Sequence, residues 1–195
     1  MRVGLTGGIG AGKSEVTAVL RALGAFIVDT DEIAREVVAP GGDALFEIVR
    51  VWPHVVRDGV LDRAALADIV FGDPAARARL GTLLHPHIRR RALELEAQAK
   101  PQQIVVHVVP LLFETGYDRL VDKSILVAAP LHDRIARIVK RDHLDEARVR
   151  ARIAAQIPQE EAYPRADFVI ENDGDLDRLT AQTQVVFAAL VAGNS

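Results

Sequence analysis

Gly7, four intervening residues, and then Gly12-Lys13-Ser14 form the spacing G-x-x-x-x-G-K-S near the start of the chain, within GLTGGIGAGKSEV, which holds five glycines in thirteen positions. Glycine loses more backbone freedom on folding than any other residue, so such a run signals a need for bare backbone. Successive N–H groups there can converge on phosphate oxygens, and a helix beginning at Lys13 adds the positive end of its dipole. In this arrangement Lys13 reaches the β- and γ-phosphates of a nucleoside triphosphate and the Ser14 hydroxyl ligates Mg²⁺. The expected nucleotide site covers Gly8, Gly10, Ala11, Gly12, Lys13, Ser14 and Glu15. A glycine-rich turn with an incidental lysine is the alternative, and the apolar strand before it and amphipathic helix after it speak against that alternative.

Two further groups of residues could act on the phosphates. Asp29 and Asp31 stand in VDTD, at the end of a short apolar run. Ligands of a parallel sheet bind beyond the carboxyl ends of its strands, so a carboxylate there can take a proton from an attacking hydroxyl or hold Mg²⁺ through water. One of the two is equally suited to capping the helix that follows, and Asp31 is the one read as functional. Arg137 and Arg141, with Arg134 one turn earlier, lie four apart on one helical face. Arginine suits the spread negative charge of a transferring phosphoryl group; a solvated basic face is the competing reading.

These residues need elements to hold them. MRVGLT, AFIVD (25–29), IVVHVV (104–109), KSILVA (123–128) and ADFVIEN (166–172) read as strands. Their continuous rather than alternating apolar character is that of parallel strands covered on both faces. Val16, Val19, Leu20 and Leu23 recur at helical spacing before Gly24, a natural stop. Asp73-Pro74 opens a helix expected to end near His85-Pro86, where another begins. Asp145-Glu146 opens one containing Val149 and Ile153, and DLDRLTAQTQVVFAAL closes the chain as an amphipathic helix. The β-α alternation predicts an α/β fold with a five-stranded parallel sheet. Residues 43–98 are too many for one crossover and read as a helical, substrate-binding insert; 131–162 form a second, arginine-rich insert.

With 195 residues, 49% hydrophobic and 26% charged, the chain is long enough for one core of ordinary composition. It has no cysteine, which excludes disulfides, thiolate metal sites and cysteine nucleophiles. A net charge of −3 gives no general attraction to nucleic acid. MRVGLTGG lacks the apolar run of a signal peptide, and no run suffices to span a membrane, so a cytoplasmic protein without membrane or nucleic-acid partners is expected. Oligomeric state is left open, with a monomer compatible.

Taken in order, LTGGIGAGKS, VDTD, AREVVAPG, LLHPHI, VPLLFETG, RIVKRD, RIAAQIPQEE and ADFVIENDG resemble the segments of the dephospho-coenzyme A kinase family from Met1 to about Leu190. The loop is common to many kinases, whereas HPHI, PLLFE and VIENDG in this order are far more specific. The resemblance implies a three-layer P-loop fold in a single domain. It also implies transfer of the ATP γ-phosphate to the ribose 3′-hydroxyl of dephospho-CoA, the last step of coenzyme A synthesis, with Mg²⁺. By the same resemblance Asp31 is the general base, Lys13 and Ser14 handle phosphates and metal, and Arg137 and Arg141 belong to a lid spanning 131–162. Asn172 then lies near the adenine, and His85, Arg89 and Leu112 face dephospho-CoA. Glu15 replaces the family's usual threonine, and His107 stands where many members carry an acid. If that acid acts in the family, its role here is vacant or falls to Glu114, and no function is assigned to His107.

A nucleoside monophosphate kinase would share the loop and the arginines but not HPHI with PLLFE; relative turnover of dephospho-CoA and AMP separates the two. A GTP-binding switch would carry N-K-x-D after a late strand, where this chain has Glu171-Asn172-Asp173-Gly174.

Overall fold

The computed structural model describes residues 1–194. Strands β1 (Arg2–Thr6), β2 (Phe26–Asp29), β5 (Val105–Val108), β6 (Lys123–Ala128) and β7 (Phe168–Glu171) form one parallel sheet in the order β2-β5-β1-β6-β7. The short β3 (Val56–Arg57) and β4 (Val60–Leu61) pair separately as an antiparallel hairpin, which the sequence reading lacks. Leu5 lies opposite Val108 on one side and Ile125 on the other, which places β1 at the centre of the sheet.

The apolar runs are continuous because both faces are covered. Val3 and Leu5 of β1, Val106 and Val108 of β5, and Ile125 and Val127 of β6 pack with Val16 and Leu20 of α1 (Lys13–Ala22) and with Leu179, Val186 and Leu190 of α9 (Leu176–Ala192). Leu126 points the other way, into a cluster with Val109, Leu112, Phe113, Tyr117 and Ala162. Gly4 alternates onto that second face too, and a Cβ there would lie 2.8 Å from Leu112 Cδ1. His107 follows the same alternation and is 1% exposed, sharing a 2.8 Å hydrogen bond between Nδ1 and the Tyr117 hydroxyl. This is the behaviour of a core histidine with a satisfied ring nitrogen.

The chain divides into two compact units, Met1–Val28 with the residues from Ala99 on, and Asp29–Gln98. The second contains α2 (Thr30–Glu36), α3 (Asp43–Val51), α4 (Arg63–Gly72) and α5 (Pro74–Glu96) around Val38, Ala44, Ile48, Val55 and Leu66. It begins at Asp29 rather than at 43, so α2 belongs with the later helices.

One expectation fails here. The helix that opens at Pro74 does not end at His85-Pro86 but runs 23 residues to Glu96, with Pro86 inside it. An interior proline costs a helix ~3 kcal/mol or more. Contacts on both sides of the proline outweigh that cost. Leu80 and Leu84 pack on the unit's core, Ala92 is fully buried, and His87, Arg90 and Arg91 reach Glu47, Asp43 and Glu36.

The remaining helices, α6 (Leu131–Asp142), α7 (Glu146–Ala154) and the short α8 (Gln159–Ala162), follow β6 and belong to the first unit. Ile135 and Ile138 of α6 and Val149 of α7 form a small cluster that also takes in Ile9.

Candidate phosphate-binding site

β1 ends at Thr6 and α1 starts at Lys13, so the loop between them delivers its amides to the N-terminus of a helix at the centre of the sheet. Gly12 occupies the N-cap position with φ 101°, a left-handed conformation that side chains rarely adopt. Gly8 and Gly10 meet a different demand. A Cβ on Gly8 would run into the guanidinium of Arg134, and one on Gly10 would lie 2.7 Å from the Arg134 carbonyl. The loop is therefore glycine-rich partly because α6 lies directly against it.

Lys13 Nζ donates to the Gly7 carbonyl at 2.6 Å and so spans its own loop. Ser14 and Glu15 are exposed on the first turn of α1, and the Ala11 side chain is fully buried in the core. Only the backbone of Ala11 is therefore available to a ligand.

Four contacts from outside the loop hold it. Asn172, at the end of β7 and buried, donates through Nδ2 to the Ala11 carbonyl at 2.8 Å. Arg137 bridges the same two segments, with Nη1 donating to Gly10 O at 3.3 Å and Nη2 to Asn172 O at 3.2 Å. Gln156 Oε1 accepts from the Ile9 amide at 2.7 Å. Arg134 Nε donates to the Ile9 carbonyl at 3.0 Å. Burial of the Arg134 guanidinium lowers its pKa, an effect the nearby Glu160 carboxylate opposes.

The arginines predicted to act together are thus used differently. Arg137 fastens the loop to β7. Arg141 is exposed and pairs with its neighbour Asp142, at 2.6 Å from Nε to Oδ1 and 3.1 Å from Nη2 to Oδ2. Arg134 is almost completely buried against the loop. The anchoring by Asn172, Gln156 and Arg134 has almost no trace in the sequence pattern. The only sequence signal for it is the position of Arg134 one helical turn before Arg137.

In the other unit, Asp29 caps α2, its Oδ1 accepting from the amides of Asp31 at 2.8 Å and Glu32 at 3.2 Å. The ambiguity between the two carboxylates resolves in part: the cap is Asp29, and Asp31 stands in the first turn. His85 and Arg89 lie one turn apart on exposed positions of α5. Shielding from water and then the Arg89 charge lower the His85 pKa. Leu112, expected to face substrate, is fully buried beneath Gly4, so it is a core residue and not a contact surface. Glu114 Oε1 accepts from the Ile157 amide at 3.2 Å.

A family model described as dephospho-CoA kinase matches residues 1–178. The chain belongs to the dephospho-CoA kinase family. A relative from Thermobifida fusca named dephospho-CoA kinase is 45% identical over 192 residues, covering 97% of this chain and 96% of its own. The crystal structure of TT1252 from Thermus thermophilus superposes with a TM-score of 0.86 at 39% identity, covering 97% of each chain. Dephospho-CoA kinase from Campylobacter jejuni gives a TM-score of 0.72 at 28% identity, covering 100% of this chain and 98% of its own. The matched span includes the HPHI and PLLFE segments as well as the phosphate loop.

Proposed function

We propose that the chain transfers the γ-phosphoryl group of ATP to the ribose 3′-hydroxyl of dephospho-CoA, completing coenzyme A. The observation that carries this is the loop from Gly7 to Ser14, set between the central strand and α1 in a chain of this family. The 3′-oxygen attacks the γ-phosphorus while the bond from that phosphorus to the β–γ bridging oxygen breaks. ADP leaves, and the hydroxyl proton passes to the Asp31 carboxylate and then to solvent. The loop amides and Lys13 bind the phosphates, and Arg137 and Arg141 add positive charge along α6.

The Ser14 hydroxyl is a hard oxygen donor, exposed at the start of α1, and fits Mg²⁺ that arrives with ATP phosphates as its other ligands. When bound, the ion neutralises charge on the β- and γ-phosphates. Among the described residues no group of three or more His, Cys, Asp and Glu could hold a metal ion, so the ion's remaining ligands would come from nucleotide and water. His85 and Arg89, on the helical insert, are the residues assigned to dephospho-CoA, and Arg89 supplies the charge its phosphates require.

A coupled assay of ADP release with ATP and dephospho-CoA tests the reading. Turnover is expected with dephospho-CoA and not with AMP. Turnover of AMP in preference would replace this reading with a nucleoside monophosphate kinase.

A further inference from the structure

The phosphoryl-contacting arginine of this site can be singled out by asking which guanidinium the fold leaves available at the loop. Arg137 spends both terminal nitrogens on the carbonyls of Gly10 and Asn172. Arg141 spends Nε and Nη2 on Asp142 and is exposed. Arg134 uses only Nε, on the Ile9 carbonyl, among the hydrogen bonds of the described residues. Its Nη1 and Nη2 sit against Gly8, the position whose missing Cβ makes room for them. Arg134 also lines a solvent-open cleft together with Gly7, Gly8, Gln156 and Gln159. The side chain is 6% exposed, so its geometry is set before any ligand arrives.

We propose that Arg134 contacts the γ-phosphoryl group of the bound nucleotide through Nη1 and Nη2, with Nε locked on Ile9 to aim the guanidinium. A fixed Nε and two free Nη groups are the features of an arginine that offsets charge on a transferring phosphoryl group. A preorganised donor of this kind costs no reordering at the moment of transfer. The Glu160 carboxylate on α8 favours the charged guanidinium of Arg134, against the effect of burial. The inference rests on the kinase reading above, but the acceptor substrate plays no part in it.

The test compares ADP with a non-hydrolysable ATP analogue by titration calorimetry, for the unaltered protein and for Arg134→Ala. The analogue's affinity should fall about tenfold, the scale of one lost charge-assisted contact. ADP affinity should change less than about threefold, since ADP lacks the γ-phosphate. With ATP and acceptor, kcat should fall about 10³-fold, the lower end for removal of a phosphoryl-contacting arginine, and added guanidinium should restore part of it. Arg134→Lys keeps the charge but not the fork, and the same loss of discrimination in that variant supports the proposal if the alanine variant does not fold. Equal weakening of both nucleotides in the folded variants would mean that Arg134 merely props the loop, and unchanged discrimination would mean that it touches no phosphate. Either result overturns the proposal. The kinase reading itself stands or falls on dephospho-CoA turnover by the unaltered protein, so the two failures are distinguishable.

Discussion

Asn172 Nδ2 donates to the Ala11 carbonyl across 2.8 Å, which ties the end of β7 to the middle of the phosphate loop 161 residues earlier in the chain. The same side chain fills the space that a Cβ on Gly12 would need. A residue expected near the adenine is therefore also a support for the loop's backbone.

Asn172→Ala removes that support and leaves a buried carbonyl without its partner, which costs about 1–3 kcal/mol. For a chain of this size each kcal/mol shifts Tm by roughly 2–4 °C, so a fall of several degrees is expected. The KM for ATP should rise more than the KM for dephospho-CoA. A variant with unchanged melting would show that the bond contributes nothing to the loop.

The two carboxylates after β2 should separate cleanly. Asp29 caps α2 through two amides, so Asp29→Ala should cost about 0.5–2 kcal/mol of stability. Asp31→Asn should reduce kcat by about 10²–10⁴-fold, the usual span for loss of a general base. Near-normal kcat for Asp31→Asn at saturating substrates would remove Asp31 from that role. Denaturation curves and steady-state rates on both variants decide it.

Asp167 gives a stability signal with a definite pH sign. Its Oδ1 accepts from Lys123 Nζ at 2.9 Å, and its Oδ2 accepts from Ser124 N and Oγ at 2.8 Å each. Partial burial alone would raise the carboxyl pKa, but the hydrogen bonds from Lys123 and Ser124 outweigh it and the net shift is downward. A depressed folded pKa means that the contribution is present above the unfolded value, near 3.9, and is lost as pH falls through the folded value. Asp167→Asn should therefore be less stable than the unaltered protein at pH 7 by about 1 kcal/mol, kept small by the solvent around the pair. The gap should narrow below about pH 4. Urea denaturation at pH 7 and pH 3.5 checks this, and an equal gap at both would contradict it.

The strands and the loop were legible because each rests on local chemistry. Continuous apolar runs mark β1, β5 and β6, and glycine spacing marks the turn into α1. Pro86 misled for an instructive reason: the penalty of an interior proline is local, whereas the packing of Leu80, Leu84 and Ala92 that overrides it is not. Leu112 misled in the same way, since motif membership carries no information about burial, and only the register of Gly4 against the segment after β5 buries it. The arginines were visible as a cluster. Their division of labour depends on which carbonyls lie within reach, and residues such as Gly10 and Asn172 meet only in the folded chain.

The least local prediction concerns residues 131–162, read from the sequence as a lid. Ile135, Ile138 and Val149 make a cluster of only three buried side chains, too small to hold α6 and α7 by itself. Ile9 joins that cluster from the phosphate loop, its carbonyl accepts from Arg134, and its amide donates to Gln156. The segment is thus fastened in part to the element that ATP would order, besides its contacts through Arg137 to Asn172 and Ile157 to Glu114. Ordering the loop should therefore slow opening of the segment, by no more than the difference in nucleotide affinity between its open and closed forms. Amide exchange should slow across 131–162 as well as across 7–14 when a non-hydrolysable ATP analogue is added. Ile138→Ala should weaken that coupling, because it leaves a cavity where α6 meets the loop, at a cost of about 2–5 kcal/mol. A rigid basic surface would instead show the same exchange with and without nucleotide. That outcome would remove the lid while leaving the kinase assignment untouched, since phosphoryl transfer needs the loop but not the motion of the helices beside it.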